Sequence, residues 1–243
     1  MASHEYQTTV FSPEGKLHQI EYAFKAIKSC GLTGLGMRGK ENVVLVIEKK
    51  IDDLMIDPST VSNLYMITPQ IGALATGREA DGRAWVMRLR QEAFEFMKEN
   101  GVAITVDVLA SRAADIAQLY TQKSGMRAYA VEMTLASVDK AKGPLLYQID
   151  PAGHCIGHFG CSSGVKDQEA QNELEKMWRE KDGFKEMESD EVIRSSMVAL
   201  QNTLGQDFKS TDIEVAVINK NGQYSKMSVE EIETHLNAVQ KFD

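Results

Sequence analysis

Cysteine is scarce. Three thiols in 243 residues, Cys30, Cys155 and Cys161, are odd in number and include no CxxC pair. That excludes a disulfide framework, fits a reducing compartment, and predicts buried or neutral thiols. Basic charge is also short: 27 Lys and Arg against 35 Asp and Glu give a net charge of −8 and a pI near 5.3. Non-specific nucleic-acid binding runs on phosphate neutralisation, so this balance argues against it. No apolar run approaches the ~20 residues of a membrane span, and the polar start from Met1 to Phe11 lacks the basic-then-apolar order of a secretory signal. Proline numbers only five, and no low-complexity tract or Pro/Gly/Ser linker interrupts the chain. Nothing marks a boundary, and residues 1–243 read as one domain.

What is present is a regular alternation of strand and helix patterns. Ser12-Pro13-Glu14-Gly15 is a turn signal. Leu17, Ile20, Phe24 and Ile27 then repeat at helical spacing, with Gly31 as a stop. Short apolar runs at 32–38, 43–48 and 71–76 read as strands separated by turn residues. Two helices follow, one marked by Val86, Leu89, Ala93 and Phe96, the other by Leu109, Ala113, Ile116 and Tyr120, with Thr105 placed to cap the second. Strands are predicted again at 129–138, 145–149 and 154–159, then helices carrying Ala170, Leu174, Met177 and Trp178, and Ile193, Met197, Leu200 and Leu204. The runs 213–219 and 223–227 form a hairpin across Asn221-Gly222. Ser228 and Glu231 make a capping box for a final helix with Ile232, Leu236 and Val239 on one face.

Short turns between successive strands require antiparallel pairing, because parallel neighbours need a crossover of a dozen or more residues. Two antiparallel sheets with helices grouped outside them give a layered α+β sandwich.

The run Thr9-Val10-Phe11-Ser12-Pro13-Glu14-Gly15-Lys16-Leu17-His18-Gln19-Ile20-Glu21-Tyr22-Ala23 resembles the N-terminal signature of proteasome α subunits. The resemblance continues through Arg38-Gly39-Lys40, Gly77 to Arg83, Tyr120-Thr121-Gln122, Met126-Arg127 and Asp150-Pro151-Ala152-Gly153. Phe24-Lys25-Ala26-Ile27, Arg38-Gly39-Lys40 and Gly164-Val165-Lys166 are most similar to the first ring position, also called α type-6.

The resemblance implies a four-layer α/β/β/α sandwich, the fold of N-terminal nucleophile hydrolases. It divides the chain into a leader (1–10), a signature turn and helix (11–30) and the sandwich (31–243). It implies a non-catalytic member of a hetero-heptameric α ring in the 20S core particle. The partners implied are other α subunits, a β ring and regulatory particles, with no nucleic acid, membrane, metal or cofactor. The role implied is ubiquitin-dependent and other protein degradation in cytoplasm and nucleus.

The catalytic β subunits of that family need an N-terminal threonine whose own amine, or a nearby base, accepts the proton. Aligning Arg38-Gly39-Lys40 to the β pattern puts Leu32 at the nucleophile, Glu48 at the supporting aspartate, and Asn63 or Leu64 at the lysine. None can do that chemistry, and residues 1–31 would have to be removed to free an amine. Thr8, Thr9 and Thr33 carry no free amine without cleavage.

The resemblance also assigns signature roles to Phe11, Ser12, Pro13, Gly15, Gln19 and Tyr22, with Pro13 and Tyr22 matching gate residues. The plain reading of that pair is a turn former and a core aromatic. Gap-free counting puts His4 and Glu5 where the family's leader has Tyr-Asp, with Tyr6 a displaced candidate. It puts Asn63 where many relatives carry a lysine for activator carboxylates, so a pocket relying on that residue is expected to be weak.

Three other patterns compete. Gly160-Cys161-Ser162-Ser163-Gly164 fits the G-x-S-x-G elbow, with Asp190 or Asp212 and then His235 in triad order. Its plainer reading is a small-residue turn ahead of a helix. His154 and His158 are spaced for a metal only on a helix, and the segment reads as a strand. The methionines read as core fillers, and the charge between Glu169 and Glu191 reads as a solvated helical face.

Overall fold

A computed structural model describes residues 9–181 and 183–239. Two five-stranded antiparallel sheets are stacked face to face, with helices on both outer faces. In chain order the elements are α1 (His18–Ser29), β1 (Thr33–Arg38), β2 (Val43–Glu48), β3 (Leu64–Thr68), β4 (Ile71–Gly77), α2 (Glu79–Asn100) and α3 (Val106–Gln122). They continue as β5 (Val131–Asp139), β6 (Gly143–Ile149), β7 (Cys155–Gly157), β8 (Gly160–Gly164), α4 (Asp167–Glu180), α5 (Ser189–Leu204), β9 (Ile213–Ile218), β10 (Tyr224–Lys226) and α6 (Val229–Val239). The first sheet runs β10-β9-β2-β1-β8 and the second β3-β4-β5-β6-β7.

The alternation of β2 shows how sequence divides the layers. Val43, Leu45 and Ile47 face the second sheet, packing with Leu64, Leu74, Ala136 and Leu146. Val44 and Val46 point the other way, into α4, α5 and α6 through Leu174, Met197, Leu200 and Ile232. A strand buried on both faces has no polar half, which is why this run is wholly apolar. On the far side, Ala73, Ala75, Met133 and Leu135 meet Trp85, Leu89, Leu109 and Ala113 of α2 and α3. The layer order is helices, sheet, sheet, helices, the four-layer sandwich expected from the resemblance.

Turn chemistry fixes the connections. The β9–β10 hairpin closes through Gly222 at φ 74°, whose N–H donates to the Asn219 carbonyl at 2.8 Å. The capping box of α6 forms in both directions: the Ser228 N–H donates to Glu231 Oε2 at 2.7 Å, and the Glu231 N–H to Ser228 Oγ at 3.3 Å. Edge strands are short: β10 and β7 have three residues each, β3 and β8 five.

Several expectations need correction. Strand β3 was not legible, because the exposed Met66 (46 %) stands between Tyr65, which packs against the helix-side core, and the buried Ile67, so no clean alternation shows. The stretch 154–159 keeps only Cys155–Gly157 as strand. Gly160–Gly164 is neither elbow nor turn but strand β8, paired antiparallel to β1 with Ser162 opposite Leu35. Thr105 occupies the N-cap of α3 through its backbone, and its hydroxyl makes no capping hydrogen bond. The methionines divide: Met37, Met133 and Met197 are buried, whereas Met55, Met87 and Met97 are exposed.

Candidate functional site

The signature begins as a closed turn. Pro13 fixes one φ, and Gly15 takes φ 76°, a value unfavourable to residues with a Cβ. The Gly15 N–H donates to the Ser12 carbonyl at 2.8 Å, and the Ser12 N–H to the Lys16 carbonyl at 2.9 Å. Ser12 Oγ accepts from the Lys16 N–H at 3.2 Å. Ser12, Pro13 and Gly15 thus act together as the hinge that aims residues 9–11 relative to α1.

Helix α1 buries Ile20, Ala23 and Ile27 against β4 and β5. Its other face stays open. Phe11 is 67 % and Tyr22 54 % exposed, so Tyr22 is no core aromatic. The Tyr22 ring stacks on His18, centroids 6.3 Å apart, and lies 6.0 Å from the Lys25 ammonium. Gln19 and Ile20 border a cavity of about 210 Å³ whose other wall is Tyr120, Thr121, Met126 and Arg127. Four of the six signature residues therefore surround one turn, while Gln19 faces the α3–β5 loop and Tyr22 faces outward. His4, Glu5 and Tyr6 lie outside the described residues.

The α3–β5 loop is tied down by one ion pair. Arg127 Nη1 and Nη2 donate to Asp81 Oδ2 and Oδ1 at 2.6 and 2.7 Å, and the Ala130 N–H adds a bond to Oδ2 at 2.9 Å. These hydrogen bonds, the Arg127 contact first, hold the Asp81 carboxyl below its ordinary range. Both residues stood in the quoted motifs without a role. Their 46-residue separation leaves no local pattern to read.

At the end of the sandwich where a β-type nucleophile would stand, the groups serve structure. The Leu32 carbonyl accepts from the Val165 N–H at 3.0 Å. Thr33 is fully buried, and its Oγ1 accepts from the Lys166 N–H at 3.3 Å. Its own nitrogen is an internal peptide N–H of β1, and the Glu48 carboxyl is pushed up by burial. Lys166 Nζ caps α5, donating to the Thr203 and Leu204 carbonyls at 3.1 and 3.4 Å. Leu64 is buried in the sheet interface.

Asn63 is also buried, its N–H donating to Glu214 Oε2 at 3.1 Å and its carbonyl accepting from Ala75. Sequence reading missed the cations beside it. Lys49 and Lys226 place their ammonium groups 3.5 and 3.6 Å from Glu214 Oε1, and Lys226 also reaches Ser62 Oγ. The hairpin that brings Lys226 there was readable, but not its neighbour across the sheets.

Among the described residues no histidine or carboxylate side chain hydrogen-bonds the Ser162 hydroxyl. That hydroxyl donates to the Asp167 carbonyl at 2.8 Å, and the Ser162 carbonyl accepts from Gln148 Nε2 at 2.8 Å. Asp212 instead accepts from the Lys209 N–H and the Thr211 hydroxyl. Burial raises the Cys30, Cys155 and Cys161 thiols, Cys161 to about 12. Among the described residues no group of three or more His, Cys, Asp or Glu side chains could hold a metal, and no helix is long and apolar enough to cross a membrane.

Two family descriptions match this arrangement. That of the proteasome subunit matches residues 29–218, and that of the A-type N-terminal signature of proteasome subunits matches residues 4–26. The chain belongs to the proteasome subunit family. Within it, the signature match marks an α-type member, and it spans the Ser12–Lys16 hinge, Gln19 and Tyr22. The chain is 45 % identical over 235 residues to the probable alpha type-1 proteasome subunit of Schizosaccharomyces pombe, covering 97 % of this chain and 96 % of that one. It is 37 % identical over 243 residues to the alpha type-6 proteasome subunit of Caenorhabditis elegans, covering 100 % and 98 %. The alpha proteasome subunit of Methanopyrus kandleri is 36 % identical over 231 residues, covering 95 % and 91 %. Relatives named as proteasome α subunits thus match the chain along nearly its whole length, outer helices and signature included.

Proposed function

We propose that this α-type chain is a non-catalytic, ring-building subunit of the 20S core particle, stacked on β subunits. In this reading it stands among other α subunits in a hetero-heptameric ring in cytoplasm and nucleus, and helps to gate substrate entry and dock regulators. One observation carries the non-catalytic part: the threonine nearest the nucleophile position, Thr33, has its nitrogen in an internal peptide bond of β1 and its fully buried Oγ1 held by the Lys166 N–H at 3.3 Å. An N-terminal nucleophile needs a free amine there. The signature hinge, with Phe11 and Tyr22 exposed beside it, supplies surface for neighbours.

Native size fractionation of a lysate containing the tagged full-length chain tests the reading, with each fraction assayed for peptide hydrolysis. The expected result is co-migration with one very large particle whose activity is blocked by a threonine-directed inhibitor. A small species with activity of its own would overturn it.

A further inference from the structure

Away from the signature, β8 and α4 enclose an aromatic cavity of about 230 Å³ lined by His158, Phe159, Leu174, Glu175, Trp178 and Phe184. The rings form a ladder: Phe159 and Trp178 centroids are 4.7 Å apart, and Trp178 meets Phe184 edge-on at 5.1 Å. Phe159 is 44 % exposed, so the ladder opens to solvent. Aromatic rings that line a wet concavity favour a seated ring or large aliphatic side chain.

The charge around the ladder decides what accompanies that side chain. The Arg38 guanidinium lies 4.9 Å from the Phe159 centroid, and the Lys185 ammonium 5.7 Å from the same ring. Arg38 Nη1 donates to the His158 carbonyl at 3.4 Å, while its Nε is buried with no hydrogen-bond partner among the described residues. No described carboxylate pairs with Arg38. Glu175, the one carboxylate among the described lining residues, sits 3.7 Å from Arg179. An aromatic cavity can take a cationic ligand, but here the exposed ring already carries two cations. An anionic ligand removes that repulsion and gives the guanidinium an acceptor.

We propose that this cavity is a docking site for an acidic peptide segment of a partner protein, one that presents an aromatic or large aliphatic side chain between carboxylates. The side chain stacks on Phe159 and Trp178 while the flanking carboxylates meet Arg38 and Lys185. The full-length chain carries the whole cavity, so the proposal stands or falls separately from ring assembly.

Fluorescence anisotropy with labelled Asp-Glu-Phe-Glu-Asp and the full-length chain tests it. Saturable binding is expected, with Asp-Glu-Ala-Glu-Asp and Lys-Lys-Phe-Lys-Lys each weaker by about tenfold or more. Phe159→Ala and Arg38→Gln are each expected to weaken the acidic aromatic peptide by about tenfold, the first through a lost aromatic stack and the second through a lost charge-assisted contact. If Arg38→Gln fails to fold, Lys185→Gln, at a surface position, tests the charge requirement with an expected loss of about threefold. Absence of binding, equal binding of the basic peptide, or indifference to Phe159→Ala overturns the site. Indifference to the charge variant that folds overturns the acidic partner.

Discussion

The guanidinium of Arg127 lies fork to fork on the carboxylate of Asp81, joining the α3–β5 loop to the first turn of α2. Asp81 is buried while the Arg127 side chain is 58 % exposed, so solvent screens part of the attraction. Asp81→Asn is expected to lower stability by roughly 1–2 kcal/mol, read as a shift in denaturant midpoint. Because the folded carboxyl is held below its ordinary range, the stabilisation is present above the unfolded value of 3.8 and fades as pH falls through the lower folded value. The wild-type and variant midpoints should therefore converge only in strong acid.

Glu132 gives the opposite slope. Burial pushes its carboxyl up to about 7, helped by Asp167 and Asp150 and opposed by Lys28. Between the ordinary value of 4.5 and about 7 the folded chain binds the extra proton, so this group's contribution to stability falls as pH rises. Glu132→Gln is expected to match wild type near pH 5 and exceed it by roughly 1–3 kcal/mol near pH 8. Equal midpoints at both pH values would refute the assignment.

Ser162→Ala removes one hydrogen bond to the Asp167 carbonyl at the start of α4. A loss of about 1 kcal/mol in stability is expected, with no change in the peptide hydrolysis of particles that incorporate the variant. A collapse of activity in intact particles would return the serine to catalysis.

Gly164→Ala is expected to be far more damaging. Gly164 has φ 109°, and a Cβ there would lie 2.0 Å from the Leu32 carbonyl oxygen. The variant should accumulate poorly or melt well below wild type in thermal shift, whereas Gly205→Ala, with open space around it, should lose only about 1 kcal/mol.

Pro13→Ala and Tyr22→Ala test the gate. If the hinge and the exposed ring position the entry segments, basal peptide hydrolysis by the assembled particle changes while native mass is kept. Unchanged hydrolysis in intact particles would assign both residues to the hinge and surface alone.

Legibility followed the range of the interaction. The Asn221-Gly222 hairpin and the Ser228–Glu231 box are local, so a few residues were enough to predict them. Strand β8 was misread because its five small residues gain their conformation from β1, more than 120 positions earlier, rather than from their own periodicity. The signature was visible as a contiguous pattern, but the exposure of Tyr22 was not. An aromatic on a helix looks alike in sequence whether it faces a core or solvent. The Lys49–Glu214–Lys226 cluster draws on three separate strand regions, and no single stretch of sequence announces it.

The outermost strands, three to five residues long, bear on how such a chain finds company. Backbone pairing is indifferent to side chains, so a long free strand would accept any extended segment and seed fibrils. With so little backbone on offer, any lasting contact with another chain has to be made through helix faces and loop tips, where side-chain chemistry decides the fit. Such a chain is guarded against indiscriminate strand-to-strand polymerisation, and selectivity falls to surfaces whose side chains can tell one candidate from another.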